Sequence, residues 1–173
     1  MRWRTLLTLG CLGAVVAALA AQPAQSDAGT PAVVSAYGCI VSNGGAVTRP
    51  AGSTIVVRQG WAEQARGIEQ DFLNHETTLL SLNGGPITDL SDQWTAPTQV
   101  DLGFPKLVWE SSIERDTGVT LANPGDRMQF SFSLSVTSTV PEIFNPATGG
   151  PAGQPIFNGP GLIFGGTCTV TAT

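Results

Sequence analysis

Residues 128–136 read Met128-Gln129-Phe130-Ser131-Phe132-Ser133-Leu134-Ser135-Val136, apolar and polar side chains in strict alternation. A period of two puts Met128, Phe130, Phe132, Leu134 and Val136 on one face of a strand and the hydroxyls on the other. One face is therefore buried and one wet. A register slip of one residue would expose every one of those apolar groups, so the pairing of this strand is firmly set. Asn123-Pro124-Gly125-Asp126 stands just before it, with Pro and Gly in the positions that a type II turn requires.

Toward the N-terminus the strand pattern repeats. Lys106 to Arg115 alternates with Leu107, Trp109, Ser111 and Ile113 on one face, which places Trp109 in the core, and Gly118 to Leu121 is a shorter run. Glu76 to Leu82 has strand character, and Asn83-Gly84-Gly85 before Ile87 reads as a hairpin turn with a short return strand. Ser53 to Gln59 alternates, and Ala32 to Ser42 is an apolar, β-branched first strand ended by Asn43-Gly44-Gly45. The exception is Trp61 to His75, where Trp61, Ala65, Ile68 and Phe72 follow the helical repeat. A short helix is expected there, with Arg66 and Glu69 one turn apart on its wet face.

Toward the C-terminus, Pro141 to Pro160 is rich in Pro, Gly, Ala and Asn and reads as a long loop. Leu162 to Thr173 is a last strand, expected to be well buried because no charged residue follows Glu142. Short strands with turn signals and hardly any helix specify an all-β fold, an antiparallel two-sheet sandwich with one short helix or helical turn.

The start of the chain has a different character. Met1-Arg2-Trp3-Arg4 precedes an uncharged apolar stretch to Ala21, and Ala18-Leu19-Ala20 fits the small-residue pattern of a signal peptidase site. The expected organisation is a signal peptide over 1–20, a flexible leader over 21–31 and one β domain over 32–173. No membrane span remains after cleavage, and the destination is the cell envelope or the medium. The chain holds 8 basic and 13 acidic residues; without Arg2 and Arg4 the balance is 6 against 13, a net charge of −7. An acidic chain without a basic cluster repels nucleic acid, which is excluded as a partner.

Cys11 leaves with the signal, and Cys39 and Cys168 remain. In an oxidising compartment two thiols pair, and closing so long a loop removes denatured-state entropy worth about 5 kcal/mol.

A signal, short β runs, Trp109 within a strand and cysteines in the outer strands together make a pattern that resembles small secreted bacterial immunoglobulin-like β-sandwich proteins, a largely uncharacterised group. The resemblance implies the sandwich fold and carries no functional residue. Cys39 and Cys168 stand much farther apart than the paired cysteines of antibody domains.

Chemical motifs are sparse. The single histidine, His75, and the lack of a G-x-S-x-G turn argue against a triad hydrolase. Asp71 and His75 could share a metal if they lay on a helix, but zinc wants more ligands than two. Asp116-Thr117-Gly118 resembles the active-site triplet of aspartic proteases, yet it occurs once, so an active pair would need a dimer. A hairpin turn explains the same residues. Asn145-Pro146-Ala147-Thr148-Gly149 resembles a sorting signal without its apolar tail, and Asp89, Asp92, Asp101 and Asp126 lack a calcium-loop spacing. No cofactor or metal is expected. Trp94, in the polar segment Ser91-Asp92-Gln93-Trp94-Thr95, is the candidate ligand contact, either stacking on a sugar or capping the core. The expected function is a secreted, non-enzymatic sandwich with a binding or structural envelope role toward a protein or glycan partner. The alternatives are a carbohydrate-binding module and, more remotely, an aspartic-protease-like dimer.

Overall fold

A computed structural model describes residues 29–101, 107–145 and 150–173, with the side chains of 141–158 outside that description. The strands are β1 (Thr30–Ser35), β2 (Ala46–Arg49), β3 (Ser53–Glu63), β4 (Glu76–Leu82), β5 (Ile87–Asp89), β6 (Thr98–Asp101), β7 (Leu107–Leu121), β8 (Arg127–Val136), β9 (Val140–Asn145), β10 (Gly150–Asn158) and β11 (Gly161–Ala172). One α-helix, α1 (Arg66–His75), lies between β3 and β4. A four-stranded sheet runs β1-β3-β7-β6, a five-stranded sheet runs β2-β11-β8-β4-β5, and β9 and β10 form a separate hairpin.

The alternating stretch is β8, and it lies in the middle of the five-stranded sheet. Met128, Phe130, Phe132, Leu134 and Val136 are all buried. They meet Ile55, Val57, Ile113 and Leu121 of the four-stranded sheet in one hydrophobic cluster that also holds Phe72 of α1. Burial of these side chains is the main stabilising term, at about 1.5–3 kcal/mol for each large apolar group.

The fold is all-β as expected, but both sheets are mixed rather than antiparallel. β1 pairs parallel with β3, and β2 pairs parallel with β11. The cause is the path of the first strand, which does not run on from Ala32 to Ser42. It begins at Thr30, ends at Ser35, and the chain winds through a helical turn at Gly38–Ser42 before continuing as β2 in the other sheet. A strand that changes sheets meets partners that are not its neighbours in sequence, and its direction against them is set by that crossing rather than by a hairpin turn.

The crossing also carries Cys39 to Cys168. The two form a disulfide with Cα atoms 5.9 Å apart across a sequence separation of 129 residues, and both are buried. The bond ties the turn between β1 and β2 to β11, so the last strand borders β2 and not β1.

Other expectations need correction. Gly118 to Leu121 is not a separate strand: β7 is continuous, and Asp116-Thr117-Gly118 forms an irregularity within it, where the register against β3 shifts between Thr54 and Val56. Gly118 has φ of 66°, and its N–H donates to Asp116 Oδ1 at 2.9 Å. Leu107 is exposed while Val108 is buried, and the inward side of β7 changes between Val108 and Ser111, so the alternation read from the sequence holds only from Ser111 on. The long loop expected over Pro141 to Pro160 contains most of the β9–β10 hairpin, formed by backbone pairing that side-chain periodicity does not report. Residues 146–149, which hold the remainder of the sorting-like sequence, lie outside the described residues. β11 alternates instead of being buried throughout. Among the described residues no helix is long and apolar enough to cross a membrane.

Candidate functional site

Trp61, Trp94 and Trp109 converge on α1. Trp61 stacks on Phe72 with ring centroids 4.4 Å apart and planes 8° apart, while Trp94 meets the same ring edge-on at 5.4 Å. The Arg66 guanidinium lies 5.6 Å from the Trp109 ring centroid. The helix starts later than the sequence repeat suggests, because Trp61 remains in β3 and only the residues from Arg66 coil. Trp109 is half-buried under Arg66, whereas Trp61 and Trp94 pack against the core cluster.

The later start rotates the helix, and Glu69 turns inward with Phe72, one turn away. Glu69 is therefore not on the wet face: it is fully buried, as are Glu63 at the end of β3 and Ser111 of β7. Neither carboxyl oxygen of Glu69 has a hydrogen-bond partner, nor does Ser111 Oγ. Burial is the main cause that pushes Glu69 up to about 8; Ser111 opposes this in part, and the Glu63 and Glu110 carboxylates add to it. The Trp61 indole N–H donates to Glu63 Oε1 at 3.2 Å. Glu69 reads as wet in the sequence because it stands one turn from Arg66 and beside Gln70 and Asp71, and the only signal of its burial was its spacing of three from Phe72.

Trp94 lies half-buried with its indole N–H donating to Thr78 Oγ1 at 3.0 Å, and Thr78 in turn donates to Glu76 Oε2 at 2.5 Å. Burial raises the Glu76 carboxyl, with Thr78 and Trp94 acting against the rise. This arrangement places the indole as a cap on the core. His75 Nδ1 lies 2.8 Å from the Asp71 carbonyl oxygen and 3.4 Å from Asp71 Oδ1, closing the end of the helix. Asp89 Oδ1 accepts from the Ser91 N–H and hydroxyl, which lower its pKa, and Asp126 Oδ2 accepts from the Asn123 N–H. Among the described residues no group of three or more His, Cys, Asp or Glu side chains could hold a metal ion.

The outer faces of the two sheets differ in charge. On the four-stranded sheet Arg58 binds Glu110 at 3.2 Å and Glu114 at 3.5 Å. On the five-stranded sheet the wet side of β8 forms the cross-strand rows Ser81-Ser131-Thr167 and Leu79-Ser133-Gly165, with Asp89 of β5 beside Leu79 at the end of the second row and Arg127 at the start of the same side of β8. An open trough of about 280 Å³ lies there, lined by Leu79, Ser81, Ile87, Ser131, Ser133 and Thr167 among others. Ile87 is 71% exposed at its rim. Ser131 and Thr167 hydroxyls are 3.1 Å apart, and Ser81 Oγ donates to the Gly85 carbonyl at 2.7 Å.

Comparison with protein-family models, with curated proteins and with solved structures returned no match.

Proposed function

We propose that the chain is an exported, non-enzymatic immunoglobulin-like β-sandwich that works by binding, through the hydroxyl-lined trough on the outer face of the five-stranded sheet. The observation that carries this reading is the trough on that face. In an acidic chain its lining has no charged side chain and presents hydroxyls beside an exposed Ile87. Such a surface suits an uncharged partner, since a charged one would lose its solvation without a counter-charge in return. Export is supported by the basic, then apolar, first 20 residues and by the disulfide, which persists in oxidising compartments.

The non-enzymatic reading is supported by how the titratable candidates are used. The His75 ring is engaged by Asp71, and Asp116 accepts a hydrogen bond from Gly118 in a bulge. A carbohydrate-binding role is favoured by the row of hydroxyls from Ser81 to Thr167. In that form sugar contact belongs to the row rather than to Trp94, whose N–H is committed to Thr78.

The test is binding of the mature protein to arrays of neutral glycans and of uncharged peptides, alongside Ser133→Glu. Retention that is lost in Ser133→Glu, with an unchanged far-UV spectrum, is the expected result. Retention that survives the substitution, or none on either array, would refute this face as the working surface. Export is checked separately by sequencing the N-terminus of the protein recovered outside the cytoplasm, which is expected to begin at Ala21.

A further inference from the structure

We infer, on the reading of the trough as the working surface, that its partner is a second copy of this chain: two five-stranded sheets meet face to face about a two-fold axis, and Asp89 of each copy pairs with Arg127 of the other.

Charge is placed on this face so that its own image complements it. Among the described residues of the five strands, the ionisable ones on the outward side are Asp89 and Arg127; Glu76 is turned into the core, and Arg49 shares the inward side with buried Ala172. Asp89 is level with Leu79, Leu79 is level with Ser133, and Ser133 stands six residues along β8 from Arg127. Two strands across at about 4.8 Å and six residues along at about 3.4 Å separate the charges by about 22 Å, with Ser81 of the trough lining between them. A two-fold axis lying in the interface, square to the line joining the two residues and midway along it, brings both Asp89–Arg127 pairs together at once. Arg127 has no ion pair among the described residues, and exposed Asp89 keeps a carboxylate oxygen beyond the one bound by Ser91.

Exposed ion pairs set orientation more than strength, so apolar contact has to hold the copies together. The face offers it. Ile87 is 71% exposed at one side, Leu162 is 66% exposed at the other, and half-buried Leu79 lies between them. Leu162 leans over Gly165 beside Ser133: a Cβ added to Gly165 would lie 3.3 Å from Leu162 Cδ1 and 3.2 Å from Ser133 Cβ. The 10 residues of β8, 12 of β11 and 7 of β4, with the short edges β2 and β5, make a face of about 550 Å² on each copy and about 1,100 Å² for a pair. That is just above the roughly 1,000 Å² that a specific interface needs, and a contact of this size is weak and reversible. The trough is therefore open in dilute protein and covered in concentrated protein.

The experiment is sedimentation velocity of the mature, oxidised protein from about 1 μM to about 1 mM, with Asp89→Arg, Arg127→Asp and an equimolar mixture of the two. Wild type is expected to pass from monomer to dimer over this range. Each single variant brings like charges together at both contacts, and its association is expected to weaken by about tenfold or more. Asp89→Arg makes the acidic chain less negative, so weakening there does not come from general repulsion. The mixture sets opposite charges at both contacts, carries the same total charge as two wild-type copies, and is expected to recover the wild-type dimer. Far-UV circular dichroism checks that each variant keeps its sheets.

The proposal is overturned if wild type stays monomeric throughout, if either single variant associates as wild type does, or if the mixture fails to recover. Should Asp89→Arg fail to fold, Arg127 decides: association is expected to persist in Arg127→Lys and to be lost in Arg127→Asp, and equal association in the two refutes the pairing. The arrays of neutral glycans and uncharged peptides, read in dilute protein, separate this result from the trough itself. Retention lost in Ser133→Glu beside a monomeric wild type overturns the second copy and keeps the trough as a binding surface. Retention on neither array, beside a dimer that the mixture recovers, overturns the outside partner and supports the second copy.

Discussion

Trp61 and Phe72 lie face to face, 4.4 Å between ring centroids and 8° from parallel, joining the end of β3 to the middle of α1. Phe72 is fully buried, and Trp94 closes on it from the side. The helix is thus held by one ring between two indoles, with a buried acid one turn before it.

Removing that ring should be costly. Phe72→Ala deletes a buried aromatic and leaves a cavity between the indoles, so a loss of about 3–5 kcal/mol is expected. Urea unfolding measures it as a lower midpoint with an unchanged slope.

Stability should fall as pH rises. The folded pKa of Glu69 lies near 8, above its ordinary 4.5, and Glu76 is raised as well. The folded state therefore holds protons that the unfolded chain has released. The contribution is fully present below pH 4.5 and is lost as pH climbs through 8. For Glu69 the full change is on the order of 5 kcal/mol. Unfolding free energies measured across this range are expected to decline in wild type and to decline less steeply in Glu69→Gln, where Glu76 remains.

Reduction should weaken the protein without changing its sheet pairing. Intact mass is expected to rise by two hydrogens on reduction, and Cys39→Ser with Cys168→Ser to lower stability by about 2–5 kcal/mol in chemical denaturation. Labelling of both thiols in the unreduced protein would contradict the bond.

The bulge in β7 gives a narrower test. Gly118 holds φ of 66° in open space, so Gly118→Ala meets no clash and suffers only the left-handed backbone cost of about 1–2 kcal/mol. Thermal unfolding should show that loss.

At Trp94 the two roles separate. Trp94→Phe keeps the contact with Phe72 and removes the bond to Thr78, a loss of about 1 kcal/mol. If the trough is the working surface, binding on the arrays is unaffected by this substitution.

Strand character was legible wherever a side chain alternates between core and water. β8, β4 and the inner half of β3 follow from Met128 to Val136, Glu76 to Leu82 and Ser53 to Gln59 because each residue's polarity reports its own burial. The hairpin of β4 and β5 was legible in Asn83-Gly84-Gly85, where Asn83 and Gly84 take positive φ. The candidate trough was half legible, since the hydroxyl face of β8 was in view while its flanks on β4 and β11 depend on register.

What the sequence determined by itself is therefore local: the periods, the turns and the two cysteines available to pair. What only the tertiary structure decided is direction and company. The parallel pairing of β1 and β2 follows from a chain that changes sheets, and no residue in either strand encodes the partner's direction. Glu69 reads as a wet helical acid beside Arg66, and becomes buried because Trp61 stays in β3 and the helix turns Phe72, with Glu69 beside it, toward the core. A carboxyl accepts that position only when its surroundings, assembled from β3, β7 and α1, make the neutral form the stable one.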